Sequence, residues 1–385
     1  MNEVFIVDAQ RTPIGKYRGA LAQVRADEMF AELLKRLVLR SRLKGDDIND
    51  VVAGCVTQVG EQCGNIARTA LLSAGLPYHI PGMTVDRKCG SSEAAVHVAH
   101  RSISCGAAEL VFAGGAESMT RVPMGCNRDN HGDVFGPELL ERYDFCSQGE
   151  AAERVSDHWG LSRDDHDQFA MESHNRAIAA SRAGYFDREI MPLGTKASAS
   201  ADALLSADET IRFDTSAEKL SGLKTVFRES GRVTAGNASQ ICDGAAALLL
   251  ASPGAVKRHG LVPRARIVAT AVVGSDPEMM LTGPITATRQ VLADASLSTD
   301  DIDLFEVNEA FASVPLMWMK EIGVGHARLN VNGGAIALGH PLGATGARMM
   351  TTLLHNLERN ELRYGLQSIC CAGGMATATI IERLG

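Results

Sequence analysis

DRKCGSS, residues 86–92, joins a segment typical of a β-strand to a segment typical of an α-helix. The following residues, Glu93–Ser104, contain alanine and other good helix formers, so Cys89 should lie on the tight turn that opens this helix. Unpaired backbone N–H groups, the helix dipole and the neighbouring Arg87 and Lys88 would all favour a thiolate there. A thiolate is the reactive form of a nucleophilic cysteine, although a small buried residue before a helix is the alternative interpretation.

Short apolar strands and amphipathic helices alternate on both sides of this stretch. The predicted strands cover residues 4–7, 51–56, 109–113, 244–252, 265–273, 302–307 and 377–381, and the predicted helices cover residues 27–39, 67–74, 164–183, 285–295 and 347–357. Such alternation is typical of an α/β fold with a largely parallel sheet.

The pattern occurs twice, and parts of the sequence repeat with it. LKGDDI at residues 43–48 recurs as LSTDDI at residues 297–302, an offset of 254 positions. The same offset takes Cys89 to position 343, inside a second glycine-rich segment. A third echo pairs Ala113–Gly115 with Ala372–Gly374. We therefore expect two duplicated α/β halves related by pseudo-two-fold symmetry.

The two halves differ in length because the first is interrupted. Residues 1–115 and 235–255 should form the N-terminal half, and residues 256–385 the C-terminal half. Residues 116–234 should form an inserted loop domain that the core does not need. Long insertions of this kind usually carry binding functions.

Composition limits the classes of function. The 385 residues carry a formal net charge of −8, so no basic excess is available to neutralise nucleic-acid phosphates. Nine scattered cysteines are typical of reduced thiols inside a cell, and their spacing does not suggest a metal site. The sequence begins at a predicted strand without a charged leader, and no apolar run is long enough to span a membrane. We expect a cytoplasmic protein that binds neither membranes nor nucleic acid.

Two further segments could complete a site around Cys89. His340 lies in a glycine-rich turn at the duplicated position of the Cys89 turn, and symmetry would bring the two turns to the same side of the molecule. Cys370 and Cys371 precede Gly373 and Gly374, whose backbone N–H groups suit an oxyanion site. Since neighbours in a strand point to opposite faces, at most one of the two cysteines can face the site.

Other polar residues have weaker signals. Asn308 and Glu309 follow the predicted strand 302–307, at the edge where ligands collect in α/β sheets, although a helix cap is the preferred interpretation from these residues alone. Lys224 and Arg228 lie in a basic segment of the insertion that suits a phosphate-bearing ligand, although most such clusters are merely solvated.

Taken together, these segments closely resemble the thiolase family over essentially the whole chain. The matching motifs are DRKCGSS at 86–92, AGGAESMTRVPM at 113–124, TAGNAS at 234–239, NEAFA at 308–312, GHPLGATGAR at 339–348 and the C-terminal cysteine with its two glycines. The resemblance implies a layered αβαβα core built from two halves.

The resemblance also implies catalytic roles. Cys89 would be acylated, His340 would activate it and then donate to the thioester oxygen, and Cys370 would move the α-proton as acid and base. The backbone N–H groups of Cys89 and Ala372 would form an oxyanion site, and Asn308 would hold a water in a second one. Alanine replaces the family's glycine at position 372, which would cost on the order of 1 kcal/mol if a positive φ were required.

Binding residues follow from the same likeness. Ser239 would contact the pantetheine arm of CoA, with Ala310 and Phe311 as further substrate contacts. Lys224 and Arg228 would approach the CoA nucleotide. Gln148 stands where many thiolases have methionine in the acyl tunnel, so the departure concerns substrate preference.

The implied reaction is thiolytic cleavage of 3-ketoacyl-CoA, or the reverse Claisen condensation. It follows a ping-pong course with CoA as co-substrate and without a metal or cofactor, and breakdown as in fatty acid β-oxidation is the favoured direction. A homodimer or homotetramer is expected. The alternatives are a decarboxylating ketoacyl synthase and a non-catalytic acyl-CoA-binding subunit.

Overall fold

Apolar, alanine-rich strands form the centre of the molecule, and helices pack on their faces. The computed structural model describes residues 2–128, 132–195 and 203–385. The strands are β1 Phe5–Arg11, β2 Gly15–Lys16, β3 Asp50–Gly54, β4 Gly82–Val85, β5 Leu110–Ser118, β6 Leu193–Gly194, β7 Leu204–Leu205, β8 Cys242–Ala251, β9 Ala265–Gly274, β10 Leu304–Val307, β11 Tyr364–Cys371 and β12 Met375–Arg383. The α-helices are α1 Ala26–Ser41, α2 Ile66–Ser73, α3 Ser91–Ser104, α4 Pro137–Leu140, α5 Gln148–His158, α6 Arg163–Arg182, α7 Ala217–Ser221, α8 Pro253–His259, α9 Gly283–Ala295, α10 Ser313–Ile322, α11 Ala335–Leu338 and α12 Thr345–Arg359. Every predicted strand and helix is present, with ends shifted by a few residues.

Ten strands form one mixed sheet in the order β10-β11-β12-β9-β1-β8-β5-β3-β4, with β2 beside β8. Only the pairs β3–β4, β3–β5 and β10–β11 are parallel among the described strands, so the prediction of a largely parallel sheet is wrong. The reason lies in the connections. Parallel neighbours need a crossover such as a helix, whereas the short turn between β11 and β12 forces them to run antiparallel.

Three apolar clusters separate five layers of structure. One cluster lies between α1, α2 and the strands of the N-terminal half, and another between α9, α10 and the strands of the C-terminal half. The third holds α3 and α12 between the two halves of the sheet. Residues of β8 point alternately into the first and the third cluster, which explains its continuous apolar sequence. The α/β fold with αβαβα layers is confirmed.

The structure keeps the 254-residue offset between the halves. The pair Asp50 and Val111 of β3 and β5 becomes the pair Leu304 and Gly365 of β10 and β11. The two halves meet where β1 and β9 pair antiparallel at the centre of the sheet. This symmetry gives the turns before α3 and α12 equivalent places in the two halves.

The third sequence echo does not belong to this symmetry. Ala113–Gly115 lie inside β5, where they pair with β3 and β8, whereas Ala372–Gly374 form the turn between β11 and β12. At the true offset Gly115 corresponds to Ile369. The two Ala-Gly-Gly segments are alike in composition but not in position.

The inserted segment contributes α4 to α7 and the small β6–β7 sheet. The strand β5 continues to Ser118, and β8 takes its place in the N-terminal half after the insertion. The predicted domain boundaries stay a prediction. Among the described residues, no helix combines the length and the apolar composition needed to cross a bilayer.

Candidate active site

The turn between β4 and α3 is held by side chains on both sides of Cys89. Asp86 accepts hydrogen bonds from the backbone N–H of Lys88 at 2.8 Å and from Lys88 Nζ at 2.5 Å. The Ser91 hydroxyl donates to the carbonyl of Lys88 at 2.6 Å and accepts from the N–H of Arg87 at 2.9 Å. Lys88 has a φ of 50°, which is rare for a side chain of this size and is tolerated where a site requires it.

The Cys89 thiol is only 3% exposed, and this burial decides its protonation. Burial raises the pKa of Cys89 to about 12, while backbone N–H groups and Lys88 lower it by less. The expected resting thiolate is therefore wrong, because the loss of hydration outweighs the helix end and the nearby cation. The charge of Arg87 contributes to lowering the pKa of His97.

Two backbone N–H groups, one from Cys89 itself and one from Ala372, lie close enough to the Cys89 sulfur to lower the pKa of its thiol. Such a pair of donors can stabilise an oxyanion that forms beside the sulfur. The positive φ values of this turn fall on Gly373 at 89° and Gly374 at 74°, whereas Ala372 has none. Alanine at position 372 therefore supplies the N–H without backbone strain.

His340 is buried in the loop between α11 and α12 and is held in one tautomer. Its Nδ1 lies 2.6 Å from the Thr345 hydroxyl, which donates its own proton to the carbonyl of Pro341 at 2.8 Å. Nδ1 must therefore carry the hydrogen, and Nε2 is left as the acceptor. Burial, and then the charge of Arg348, lower the pKa of His340 to about 3, so the ring is a neutral base.

Asn308 lies next to this base. Its Nδ2 is 3.4 Å from Nε2 of His340, and its buried Oδ1 makes no hydrogen bond to the described protein residues. The helix-cap interpretation is wrong for Asn308, because α10 begins at Ser313. Glu309 instead accepts hydrogen bonds from the side chains of Ser173 and Asn330, so it holds the segments around Asn308 together.

The vicinal cysteines at the end of β11 point to opposite faces. Cys370 shares an apolar cluster with Ala310 and Phe311. Cys371 lies below α3, where a Cβ added to Gly90 would be 2.7 Å from its sulfur. Burial, and then the neighbouring Cys89, raise the pKa of both thiols. The structure thus brings the Cys89 sulfur of one half close to the Cys370 and Cys371 sulfurs of the other half.

A wall of small and aromatic residues adjoins Cys370. The N–H of Ser239 donates to the carbonyl of Ala310 at 3.0 Å. The ring of Phe227 meets Phe311 edge-on at 6.1 Å, and it also covers Gly149, where a Cβ would lie 2.2 Å from the ring. Gln148 begins α5 immediately before this glycine. Four predicted substrate contacts therefore line one region: Gln148, Ser239, Ala310 and Phe311.

Comparisons with known proteins identify the family of this chain. The family model "Thiolase, N-terminal domain" matches residues 4–254, and "Thiolase, C-terminal domain" matches residues 261–383. The chain belongs to the thiolase family. The steroid 3-ketoacyl-CoA thiolase FadA6 of Mycobacterium tuberculosis is 46% identical, with 100% of this chain and 95% of that protein aligned. The beta-ketoadipyl-CoA thiolase of Pseudomonas putida is 43% identical over 100% of both chains. The crystal structure of the Bacillus anthracis acetyl-CoA acetyltransferase has a TM-score of 0.91 and 39% identity, covering 100% of this chain and 99% of that one.

The predicted cations of this thiolase differ in their surroundings. Lys224 is exposed, and no ion pair joins it to the described residues. The Arg228 guanidinium donates to Glu150 at 2.5 Å and to Asp157 at 2.6 Å, so two carboxylates already neutralise it. This leaves Lys224 as the better candidate for a CoA phosphate.

The sequence did not reveal a cavity beside Ser239. It measures about 540 Å³ and is lined by Lys16, Tyr17, Arg212 and Ser239 together with neighbouring residues of segments 209–210, 235–238 and 240–241. These segments are up to 225 positions apart, and none of them carries a charge pattern that singles it out. Thr345 was also missed, although it fixes the tautomer of His340.

Several buried groups, His340 among them, have shifted pKa values. We call four of them, including His340, the buried histidines: burial lowers the pKa of His97 and His340 to about 3 and of His166 and His174 to about 4. We call two others the buried carboxyl groups: burial raises the pKa of Glu93 to about 7 and of Glu306 to about 8.

Proposed function

We propose that this thiolase cleaves 3-ketoacyl-CoA with CoA to acetyl-CoA and a shortened acyl-CoA, and that Cys89 carries the acyl group between the two steps. The observation that supports this most strongly is that two backbone N–H groups, from Cys89 and Ala372, lie close enough to the buried sulfur of Cys89 to lower the pKa of its thiol. Relatives at 43–46% identity bear the names of 3-ketoacyl-CoA and beta-ketoadipyl-CoA thiolases.

In the first half-reaction Cys89 attacks the 3-keto carbon. The thiol, with its pKa near 12, gives its proton to Nε2 of His340 as the S–C bond forms. The keto oxygen becomes an oxyanion at the N–H groups of Cys89 and Ala372. The C2–C3 bond then breaks, and its electron pair moves into the enolate of acetyl-CoA. The enolate oxygen accepts hydrogen bonds from the protonated His340 and from a water that Asn308 would hold.

Cys370 then protonates C2 of the enolate, and acetyl-CoA leaves. In the second half-reaction CoA enters, its thiol proton passes to the Cys370 thiolate, and its sulfur attacks the acyl carbonyl on Cys89. The N–H groups of Cys89 and Ala372 again hold the oxyanion, and its collapse breaks the bond to the Cys89 sulfur, which takes its proton back from His340. A neutral base and a second thiol therefore both have a task, as general catalysis on a carbon acid requires.

The second cysteine also separates this function from its nearest enzymatic alternative. A decarboxylating ketoacyl synthase needs no thiol acid at C2, yet here Cys370 lies in the apolar cluster with Ala310 and Phe311 and close enough to Cys89 for that thiol to raise its pKa. A non-catalytic acyl-CoA-binding subunit is disfavoured too, since each catalytic position is occupied by a competent side chain.

CoA would lie along the wall that contains Ser239, Ala310 and Phe311. The cavity beside Ser239 presents Lys16 and Arg212, and Lys224 is exposed nearby in sequence. Cations of this kind suit the phosphates of CoA. Gln148, at the start of α5, would influence which acyl chains fit.

The protein would act as a homodimer formed through the open edge of the sheet, with a homotetramer as the larger assembly. β4 is the last strand and pairs only with β3 among the described strands. Met83 on this edge is 41% exposed, and Tyr78 and Leu72 nearby are 82% and 47% exposed. Pairing of two such edges would cover this apolar surface. Light scattering on the wild type and on Met83→Arg tests this: the variant should be monomeric, and an unchanged mass would argue against this edge.

A reducing compartment such as the cytoplasm fits the nine free cysteines. Breakdown of acyl-CoAs is proposed as the physiological direction, because a relative is named for a 3-ketoacyl-CoA substrate. The reaction itself is tested with acetoacetyl-CoA and CoA by following the loss of enolate absorbance. Wild type should consume the substrate, and Cys89→Ala should lose at least about 1,000-fold in kcat. Normal turnover by Cys89→Ala, or decarboxylation of a malonyl thioester without thiolysis, would contradict the proposal.

A further inference from the structure

One carboxylate oxygen joins the loop that carries His340 to the half that carries Cys89. Oε2 of Glu117, at the end of β5, accepts hydrogen bonds from the N–H of Val56 at 2.9 Å and from the N–H of Gly343 at 2.9 Å. Val56 packs in the same apolar cluster as Cys89, and Gly343 follows His340 by three positions. Cys89 and His340 come from different halves, and Oε2 of Glu117 binds a backbone N–H group near each of them.

The other oxygen of Glu117 is equally well held. Oε1 accepts from the N–H of Thr57 at 3.0 Å and from Nε2 of Gln62 at 3.0 Å. Gln62 is itself oriented, because its Oε1 accepts from the N–H of Ser118 at 2.9 Å. Glu117 is fully buried, and these four partners are neutral N–H donors. Such a carboxylate acts only as an acceptor, so its geometry is set by these four donors together with the Cys55 thiol, whose sulfur lies 3.9 Å from Oε1.

The His340 loop is stiff enough to transmit a displacement. The N–H of Ala344 donates to the carbonyl of Pro341 at 2.9 Å, and the His340 ring is bonded to Thr345 within the same loop. Gly343 lies so close to the ends of β3 and β5 that an added Cβ would come within 2.7 Å of their carbonyl oxygens. Moving the attachment at Gly343 would therefore move the imidazole with it.

We propose that Glu117 is a positioning residue that fixes the His340 loop against the Cys89 half. The inference rests on the proposed function, in which His340 takes the proton of Cys89. Glu117 acts through His340 and does not touch the substrate. A shift of about 1 Å between reacting groups can cost on the order of 100-fold in rate.

The test replaces Glu117 with glutamine, which keeps the size but turns one acceptor into an NH₂ group facing N–H donors. We expect kcat for thiolysis to fall about 30- to 100-fold, with KM for CoA changed by less than about twofold. Alkylation of Cys89 by iodoacetamide, followed between pH 7 and 9, should slow toward the rate of His340→Ala. The double variant Glu117→Gln/His340→Ala should alkylate no more slowly than His340→Ala alone, because both changes remove the same assistance.

Glu153→Gln provides a matched control. Glu153 is also fully buried and accepts from the backbone N–H groups of Arg232 and Val233 at 2.8 Å, but it lies in the inserted segment. It should lose thermal stability while kcat and alkylation stay within about twofold of wild type. If Glu117→Gln does not fold, Gln62→Met removes one donor to Glu117, and kcat should fall about 3- to 10-fold.

The outcomes separate this inference from the proposed function. Unchanged alkylation in His340→Ala would refute the proposed function and the role of Glu117 with it. Slow alkylation in His340→Ala combined with wild-type behaviour of Glu117→Gln would refute the role of Glu117 alone. The same holds if Glu117→Gln behaves like Glu153→Gln, or if its effect adds fully to that of His340→Ala.

Discussion

Replacing Cys370 with alanine should abolish thiolysis, whereas replacing Cys371 should leave most of it. The two sulfurs belong to adjacent residues of β11 and therefore point to opposite faces of the sheet. Cys370 faces the apolar cluster that includes Phe311, on the side where the acyl-CoA would lie. Cys371 faces the backbone of Gly90 beneath α3, away from that wall.

The two substitutions should reduce different properties: Cys370→Ala the catalytic rate, and Cys371→Ala the stability of the fold. Loss of a general acid and base costs about 100- to 10,000-fold in rate, or roughly 3–5 kcal/mol of transition-state stabilisation. Loss of the fully buried Cys371 sulfur leaves a small void, which costs about 1–3 kcal/mol of unfolding free energy. Dividing this loss by an unfolding entropy of about 2.1 cal/mol/K per residue, summed over the chain, gives a melting temperature lowered by about 1–4 °C.

Two measurements distinguish these effects. Steady-state thiolysis of acetoacetyl-CoA gives kcat, and exchange of the acetyl-CoA methyl protons with deuterated water reports proton transfer at C2 directly. Cys370→Ala should lose both activities and keep its melting temperature within a few degrees, while Cys371→Ala should keep the exchange. Exchange that survives in Cys370→Ala and disappears in Cys371→Ala would refute the assignment of the two faces.

Three further changes test the surroundings of the site. Thr345→Val leaves Nδ1–H of His340 without an acceptor at a buried position, which should lower kcat about 10- to 100-fold in steady-state assays; an unchanged kcat would argue against the tautomer assignment. Lys224→Ala should raise KM for CoA about two- to fivefold, whereas Arg228→Ala should leave KM for CoA unchanged and lower the free energy of unfolding by about 1 kcal/mol or less. A raised KM for CoA in Arg228→Ala but not in Lys224→Ala would assign the phosphate contact to Arg228. The buried histidines are neutral in the folded protein but bind protons below about pH 6.5 in the unfolded chain, so they lower the free energy of unfolding as the pH drops from 6.5 toward 4. The buried carboxyl groups are protonated in the folded protein but lose their protons in the unfolded chain, so they raise the free energy of unfolding as the pH drops to about 4.5. Below pH 4.5 the histidines should dominate, and the melting temperature should fall steeply between about pH 4.5 and 3.5, whereas a flat profile there would contradict their burial as neutral groups.

Local patterns carried most of the fold and the main site residues. Strands and helices with clear periodicity were predicted within a few residues, and the 254-residue offset matches the register of the sheet. Helix α10, Ser313–Ile322, was missed because its two charged residues, Lys320 and Glu321, stand together near its end and form no polar stripe along the helix. Strand direction was predicted wrongly because it depends on which connections are tight turns, and composition alone cannot show that.

In the site, too, local motifs predicted some features, and long-range packing determined the others. Cys89, His340, Cys370 and Asn308 each lie in a recognisable motif, so their positions could be predicted. The protonation of Cys89 could not, since burial depends on residues from both halves that pack around it. Glu117 stood within a quoted motif, but its contact with Gly343 joins residues 226 positions apart. Long-range contacts of this kind have no local signal.

The central claim is that Cys89 carries the acyl group while His340 and Cys370 move the protons around it. The most direct test is mass spectrometry of peptides from enzyme mixed rapidly with a 3-ketoacyl-CoA in the absence of CoA. The account predicts one acyl group, with the mass of the shortened chain, on the peptide that contains Cys89, and its release when CoA is added. An acyl group found on Cys370 instead, or a Cys89→Ala variant that still becomes acylated and turns over, would contradict it.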